Sequence, residues 1–349
     1  MVYPLNRHNE NVRRLQITGG STYIISLPKE WVLQNDLKKG SSLLIREEEN
    51  GSLTILPPEL EKPEKLEEAF IRVSPKENPD TIMRKTISAY LVGYSLIRIK
   101  ARNQQQMTSR QRSVLKAFAR QFLVGTEIVT DTPTELTLQV LLSYPELSVP
   151  SALRRMCIIT SSMHKDAITA LKELDHQLAK DVIATDSEVD RFHLYIIRQL
   201  KMAIQNPRIT KEIGLTTARD CLGYRLVTKT VERTADHATK IAENVLLLKK
   251  RMDEESFKRV KDMSALSISM FETAIEALFK RDFNLAEEVI RKAKEVASME
   301  EEVLNFLQEK RAKEMVNLRL LIESVRRTAE YASDIAEIVL NLTIGSILE

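Results

Sequence analysis

The chain has 349 residues, enough for two or three domains, and its 43% apolar and 29% charged residues are typical of a folded, water-soluble protein. Apolar runs are far too short to cross a membrane and the N-terminus lacks a secretory stretch, so we expect a cytoplasmic protein without membrane insertion. Two cysteines exclude a disulfide framework, and a net charge of +3 confines any nucleic-acid binding to a local patch.

The chain begins with a predicted small β domain. Alternation of apolar and polar residues predicts one strand that ends at Thr18 and a second that ends at Leu27, with a Gly19-Gly20 turn between them. A short helix is predicted to begin with Pro28 at its first position, and two more strands follow, joined by Asn50-Gly51. A sheet this small buries little apolar surface alone, so we expect two chains to share strands in a homodimer.

The segments LQITGGSTYIISLPKEW, LKKGSSLLI and GSLTILP resemble the AbrB/SpoVT type of swapped-hairpin DNA-binding domain, over about residues 9–57. The resemblance implies strands that interlock between two chains and a face that binds DNA. Residues 7–46 also carry seven basic side chains against three acidic ones. The candidate DNA-binding residues are Arg13, Arg14, Gln16, Thr18 and Lys29. The alternative is a dimerisation module with an ordinary solvated rim.

The middle of the chain predicts a small α+β domain. The segments AFIRV, SLIRIKA, TEIVTD and LTLQVLL alternate like strands, and helices are predicted near Thr81–Tyr94 and Ser109–Phe122. We expect both helices on one face of the sheet. The sequence shows no catalytic constellation here, and the domain either senses a ligand or joins its neighbours.

The rest of the chain is an internal duplication. Residues 163–183 match residues 270–290 at 10 of 21 positions, and residues 231–248 match residues 325–342 at 11 of 18. Apolar residues recur at helical spacing in both copies, which predicts three long antiparallel helices in each. The first copy is longer because of QNPRITKEIG, which we predict to be a loop.

The predicted fold class is therefore multidomain and mainly α. The expected parts are an AbrB/SpoVT-like domain at residues 1–60, a connecting or sensing α+β domain at 61–150, and tandem three-helix bundles at 151–252 and 258–345.

Two pairs of carboxylates lie on helical faces of the first copy. Asp186 and Asp190 are four residues apart, as are Glu232 and Asp236, so each pair shares one face of its helix. Like charges at this spacing repel each other unless a cation offsets them. On neighbouring helices they would form a site for Mg²⁺, Mn²⁺, Ca²⁺ or iron. The alternative is a solvated acidic face paired with basic neighbours, namely Arg191, Arg233 or Lys229.

The segments LAKDVIATDSEVDRF and ARDCLGYRLVTKTVERTADHATKIAEN resemble the two signature helices of the PhoU family of phosphate-uptake regulators, each with an E/D-x-x-x-D metal motif. The similarity extends over about residues 155–345 and includes the duplication. It implies that the metal ligands are Asp186, Asp190, Glu232 and Asp236. The equivalent positions in the second copy are Ala293, Ala297, Arg326 and Glu330. The resemblance thus implies that the second bundle keeps the fold without the site.

Histidines accompany the carboxylates. His193 follows Asp190 by three residues and His237 adjoins the second pair, so either could assist metal binding. Di-iron oxidases need Glu-x-x-His on two helices, and the nearest matches are Glu173 with His176 and Asp190 with His193, both in the first copy. No nucleophilic triad, nucleotide loop or reactive cysteine is evident, so we predict that the protein is not an enzyme.

The features together predict a homodimeric regulator. By resemblance, its N-terminal domain binds DNA, and its bundles respond to phosphate through contact with a phosphate ABC transporter or a signalling protein. The alternative is an adaptor that does not bind DNA, dimerises through its N-terminal domain and regulates the transporter by protein contact.

Overall fold

A computed structural model gives the fold of the chain. The described residues are 12–47, 51–57, 68–102, 105–141, 147–205, 207–309 and 315–348. The chain divides into two compact units, Met1–Lys65 and Leu66–Glu349. The predicted division of the larger unit into three domains stays a prediction.

The smaller unit consists of two hairpins and a short helix. Its elements are β1 (Gln16–Thr18), β2 (Thr22–Ile24), α1 (Lys29–Gln34), β3 (Leu44–Glu47) and β4 (Leu53–Leu56). β1 pairs with β2 and β3 with β4, both antiparallel. Gly19 and Gly20 form the first turn with φ of 59° and 84°, a conformation that glycine adopts without steric cost.

Two predicted boundaries in this unit are wrong. The second strand ends at Ile24 rather than Leu27, and the helix begins at Lys29 rather than Pro28. Pro28 is the N-cap residue instead, in an extended conformation with ψ of 129°, and its carbonyl accepts the bond from the Val32 amide. The Asn50 half of the predicted second turn lies outside the described residues.

The smaller unit has almost no core of its own. Among its described residues only Pro57 is buried. Large apolar side chains of this unit that are half or more exposed are Val12, Leu15, Ile17, Tyr23, Ile25, Leu33, Ile45 and Leu53. Exposed apolar surface of this extent on a small unit is typical of an interaction surface.

The larger unit starts with a four-stranded sheet and two helices. These elements are β5 (Glu68–Val73), α2 (Pro79–Val92), β6 (Leu96–Ala101), α3 (Ser109–Phe122), β7 (Thr126–Asp131) and β8 (Glu135–Val140). The strand order is β5-β6-β8-β7, with β5 and β6 parallel and the other pairs antiparallel. The parallel pair needs a crossover connection, which α2 supplies. The predicted strands and helices are confirmed.

Seven α-helices follow the sheet in the part of the chain that the structure describes. They are α4 (Val149–Glu173), α5 (His176–Gln205), α6 (Pro207–Glu212), α7 (Ala218–Leu247), α8 (Glu254–Lys280), α9 (Phe283–Glu309) and α10 (Met315–Thr343). The predicted three long helices per copy are confirmed. The predicted loop of the first copy is partly wrong, because it contains α6; proline is tolerated in the first turn of a helix, so Pro207 starts α6 instead of preventing it. Within the described chain, no helix meets the length and apolarity needed to cross a bilayer.

The two copies contact each other through equivalent residues at two places. Lys165 Nζ lies 2.6 Å from Glu272 Oε1, and the rings of His237 and Tyr331 have centroids 5.6 Å apart. Contacts between equivalent positions are those expected of two copies that pack across an approximate twofold axis. The apolar faces of both bundles merge into one continuous core.

Close packing of α7 against α10 depends on a glycine. A Cβ atom on Gly223 would lie 2.8 Å from the Leu342 side chain, nearer than real Cβ contacts. Together with the His237–Tyr331 contact, this contact shows that α7 and α10 are antiparallel, since the earlier residue of α7 meets the later residue of α10.

Candidate metal centre and nucleic-acid face

The four predicted carboxylates meet between two neighbouring helices. α5 carries Asp186 and Asp190, α7 carries Glu232 and Asp236, and the two helices pack along each other. The carboxylates are close enough to affect one another electrostatically across the helix pair. The two pairs of carboxylates therefore converge, as a shared metal site would require.

The tightest donor set includes a histidine. Ligand atoms of Asp190, His193 and Glu232 lie within 4.8 Å of one another, and His193 Nδ1 is 3.7 Å from Glu232 Oε1. Asp186 and Asp236 belong to the same acidic cluster but lie outside this closest group. The signal in the sequence was the three-residue spacing of Asp190 and His193, which places both on one helical face.

Too little positive charge surrounds the four carboxylates to offset their own negative charge. Burial raises the pKa of Asp186 to about 6, and the Asp190 carboxylate adds to the increase. Burial and Glu232 raise the pKa of Asp190 to about 6, and burial with Glu232 likewise raises the pKa of Asp236 to about 6. A carboxyl group with such a pKa is costly to ionise where it stands. A bound cation would remove that cost.

Two basic side chains partly offset the cluster: Lys229, which contacts Glu232, and Lys240, whose charge lowers the pKa of Asp236. Lys229 Nζ donates to Glu232 Oε1 at 2.6 Å. Of the other two basic residues considered as partners, Arg233 acts on Asp334 of the second bundle and Arg191 on Tyr90. Two lysines beside four carboxylates leave part of the negative charge uncompensated, which disfavours the interpretation as an ordinary ion-paired face.

The donor atoms fit a divalent transition metal. Burial lowers the pKa of His193 to about 4, so its imidazole is neutral near pH 7 and has a lone pair for a metal. Carboxylate oxygens alone suit Mg²⁺ and Ca²⁺, whereas a nitrogen donor favours Mn²⁺, Fe²⁺ or Zn²⁺.

In the second bundle a guanidinium lies where the first has a carboxylate. Arg326 is the equivalent of Glu232, and its Nε lies 2.8 Å from Glu300 Oε2. Arg326 also pairs with Glu330, the equivalent of Asp236. Glu300 is 107 residues beyond His193 and is its equivalent in the duplication.

The remaining histidine candidates have other roles. His237 packs against Tyr331, and burial lowers its pKa to about 4. Glu173, considered with His176 as part of a di-iron motif, pairs instead with Arg251 at 3.4 Å. Only one of the two Asp/Glu-x-x-His matches therefore lies at the cluster.

The candidate DNA-binding residues are all exposed in the smaller unit. Gln16 and Thr18 lie in β1 and share one face, opposite Ile17, which faces Tyr23. The remaining candidates lie outside the strand: Arg13 and Arg14 precede β1, and Lys29 is the first residue of α1. Among the five candidates, the strand register therefore determines the orientation of the Gln16 and Thr18 side chains only.

Fold and site together define a class: a protein with two helical bundles formed by duplication, an acidic cluster in the first, and a small β unit at the N-terminus. Comparison with known families agrees. The PhoU domain matches residues 153–245 and 260–339, and the family described as antidote-toxin recognition MazE, bacterial antitoxin, matches residues 16–65. The chain belongs to the PhoU-domain proteins and carries an AbrB-like antitoxin domain at its N-terminus.

Individual relatives support the same conclusion. The chain is 26% identical over 199 residues to a phosphate-specific transport system accessory protein PhoU homolog of Borreliella burgdorferi, covering 52% of this chain and 84% of that one. A homolog of the same name from Clostridium acetobutylicum is 22% identical, covering 56% and 90%. The crystal structure of PhoU from Pseudomonas aeruginosa superposes with a TM-score of 0.51 at 23% identity, covering 56% of this chain and 96% of that chain.

Proposed function

We propose that the chain is a phosphate-responsive regulator that binds DNA as a homodimer and controls phosphate uptake or the genes for phosphate transport. The observation that carries the proposal is the presence, in one chain, of an antitoxin-type N-terminal domain and two PhoU domains. Its PhoU relatives are named as accessory proteins of phosphate-specific transport.

Exposed apolar surface supports the dimer. Ile17 and Tyr23 face each other on one side of the β1–β2 hairpin, and both are about two-thirds exposed. Burial of one such side chain contributes about 1.5–3 kcal/mol. A second chain that covers this side would supply the core that the described residues of the smaller unit lack.

Exposed basic and polar side chains support the DNA face. Gln16 and Thr18 lie on the side opposite the apolar pair, with Arg13 and Arg14 just before the strand. Arginines position a protein on phosphates, and amide or hydroxyl side chains contact base edges. Dimerisation would double the patch and give it the symmetry of a palindromic site.

The metal hypothesis gives the first bundle a way to respond. A divalent ion held by Asp190, His193 and Glu232, with Asp186 and Asp236 beside them, would neutralise the cluster and hold α5 against α7. The mechanism that we propose is a population shift, in which a ligand or partner favours one arrangement of the bundles and thereby changes how the dimer presents its DNA face.

The alternative is an adaptor that dimerises through the smaller unit and regulates a phosphate ABC transporter or signalling protein by contact alone. The observation in its favour is that the relatives are named as accessory proteins of phosphate-specific transport. The two functions differ in whether the smaller unit contacts DNA.

Salt-dependent DNA binding separates the two functions. We expect purified protein to bind DNA from upstream of phosphate-transport genes, and binding to weaken steeply with salt. Arg13→Ala with Arg14→Ala should reduce affinity, and each lost phosphate contact should reduce the slope of log K against log salt by about 0.9. The matched control is Lys258→Ala with Lys261→Ala, two exposed lysines on α8. Equal binding by both double variants, or none by the wild type, would support the adaptor.

A further inference from the structure

In the second bundle, a positively charged side chain of the protein itself lies at the position that corresponds to the proposed metal site. We propose that Arg326 is the built-in counterpart of the metal ion, a fixed guanidinium that holds α9 to α10 as the metal would hold α5 to α7. The proposal rests on the proposed metal centre of the first bundle for the comparison, but the role of Arg326 can be tested without it.

The duplication places Arg326 at the right position. Arg326 is equivalent to Glu232, and its two partners Glu300 and Glu330 are equivalent to His193 and Asp236. Three members of the first cluster thus have counterparts that touch one another in the second. Incidental surface ion pairs would not reproduce the layout of a cluster across a duplication.

The contacts of Arg326 join α9 to α10, the equivalents of α5 and α7. Arg326 on α10 reaches across to Glu300 on α9, with Nε 2.8 Å from Oε2, and it also contacts Glu330 one turn along α10. Side chains of Arg326 and Glu300 are only 22% and 20% exposed, so water screens their attraction less than that of a surface pair. Arg327 Nη1 adds a bond to Glu330 at 2.9 Å.

The other differences between the two clusters also reduce the negative charge that Arg326 has to offset. The two aspartates of α5 are replaced by Ala293 and Ala297, which removes two negative charges and the volume of two carboxylates. The arginine head is larger than a metal ion and needs fewer anions to neutralise it. In the second bundle Arg326 and Arg327 pair with three glutamates, namely Glu300, Glu330 and Glu323, whereas in the first bundle two lysines stand beside four carboxylates.

This arrangement makes the two halves functionally unequal. The α9–α10 contact is held by a cation that cannot leave, because the guanidinium is covalently part of the chain. The α5–α7 contact would depend on an ion that comes and goes. A metal-dependent change is thereby confined to the first bundle, with the second as a fixed support.

Hydrogen exchange with and without Mn²⁺ tests the proposal on the full chain. In EDTA, Arg326→Gln should speed amide exchange in α9 and α10 by roughly tenfold, because the substitution takes the guanidinium away from the partly buried Glu300 and breaks the link between the two helices. The matched control is Arg327→Gln, a more exposed arginine on the same helix. In the wild type, Mn²⁺ should slow exchange in α5 and α7 but not in α9 and α10.

The outcomes separate the two claims. Equal exchange in Arg326→Gln and Arg327→Gln, or slowing of α9 and α10 by Mn²⁺ in the wild type, would overturn the role of Arg326. A lack of any Mn²⁺ effect on α5 and α7 would instead overturn the metal centre and leave the Arg326 result standing.

A rebuilt site provides an independent measurement. The variant Ala293→Asp, Ala297→Asp, Glu300→His and Arg326→Glu, with Glu330 kept, restores the first cluster's residues in the second bundle. Metal analysis of this folded variant should find one more equivalent of Mn²⁺ per chain than in the wild type. An unchanged content would contradict the proposed correspondence.

Discussion

Lys165 and Glu272 form an ion pair of 2.6 Å although they are the same position in the two copies of the duplicated bundle. In an assembly of two identical bundles this position would bring two like charges together at the twofold axis. Their divergence into opposite charges favours the pairing of one copy with the other within a single chain.

This pair gives a charge-swap prediction. Lys165→Glu should lower the free energy of unfolding by about 1 kcal/mol or less, since both side chains are about half exposed. The double variant Lys165→Glu with Glu272→Lys should recover most of the loss. Urea unfolding of the three proteins measures both effects, and a double variant less stable than Lys165→Glu alone would contradict the pairing.

The Gly223 contact gives a packing prediction. Gly223→Ala should destabilise the protein by about 1–3 kcal/mol, because its Cβ would overlap the Leu342 side chain in the core between α7 and α10. Gly345→Ala is the matched control, with open space around its Cβ. Thermal or urea unfolding distinguishes them, and equal stability of the two variants would show that α7 and α10 pack less closely.

A buried histidine gives a prediction about pH. His164 Nε2 lies 2.8 Å from Ser264 Oγ, and burial lowers the pKa of His164 to about 4, with Lys165 lowering it further and Glu272 raising it. Because the unfolded chain binds this proton near its ordinary pKa of about 6.5, the contribution of His164 to stability is lost as the pH falls from about 6.5 towards 4.

The matching variant is His164→Phe, since Phe271 is the equivalent residue of the second copy. The difference in unfolding free energy between wild type and variant should shift in favour of the variant as the pH is lowered from 7 to 5. A difference that does not change with pH would mean that His164 titrates in the folded protein near its ordinary pKa, as it does in the unfolded chain.

The metal centre gives a prediction about selectivity. Asp190→Asn with Glu232→Gln should weaken Mn²⁺ binding by more than about a hundredfold, because loss of a residue that only supports a ligand already costs about tenfold to a hundredfold. His193→Ala should weaken Mn²⁺ and Zn²⁺ more than Mg²⁺, because it removes the nitrogen donor. Glu330→Gln in the second bundle is the control. Calorimetric titration that shows no loss for the double variant would rule out this cluster as the site.

The sequence was most informative where a pattern repeats. Apolar spacing and the duplication predicted the six long helices, and the four-residue spacing of Asp186 and Asp190 predicted a shared face that the fold then brings to α7. The first residue of a helix was harder to predict from the sequence, because a proline such as Pro28 can either cap a helix or begin it. The inclusion of His193 in the tightest donor set depends on the approach of two helices that are distant in sequence, which spacing alone does not fix.

The central claim is that one chain joins a response to phosphate with binding to DNA, and the most direct measurement is made in cells. The protein is crosslinked to its own genome in phosphate-rich and phosphate-starved cultures, and the attached DNA is sequenced. We predict sites clustered before phosphate-transport genes, with an occupancy that changes between the two conditions. An absence of enriched sites in both conditions would contradict DNA binding and support the adaptor.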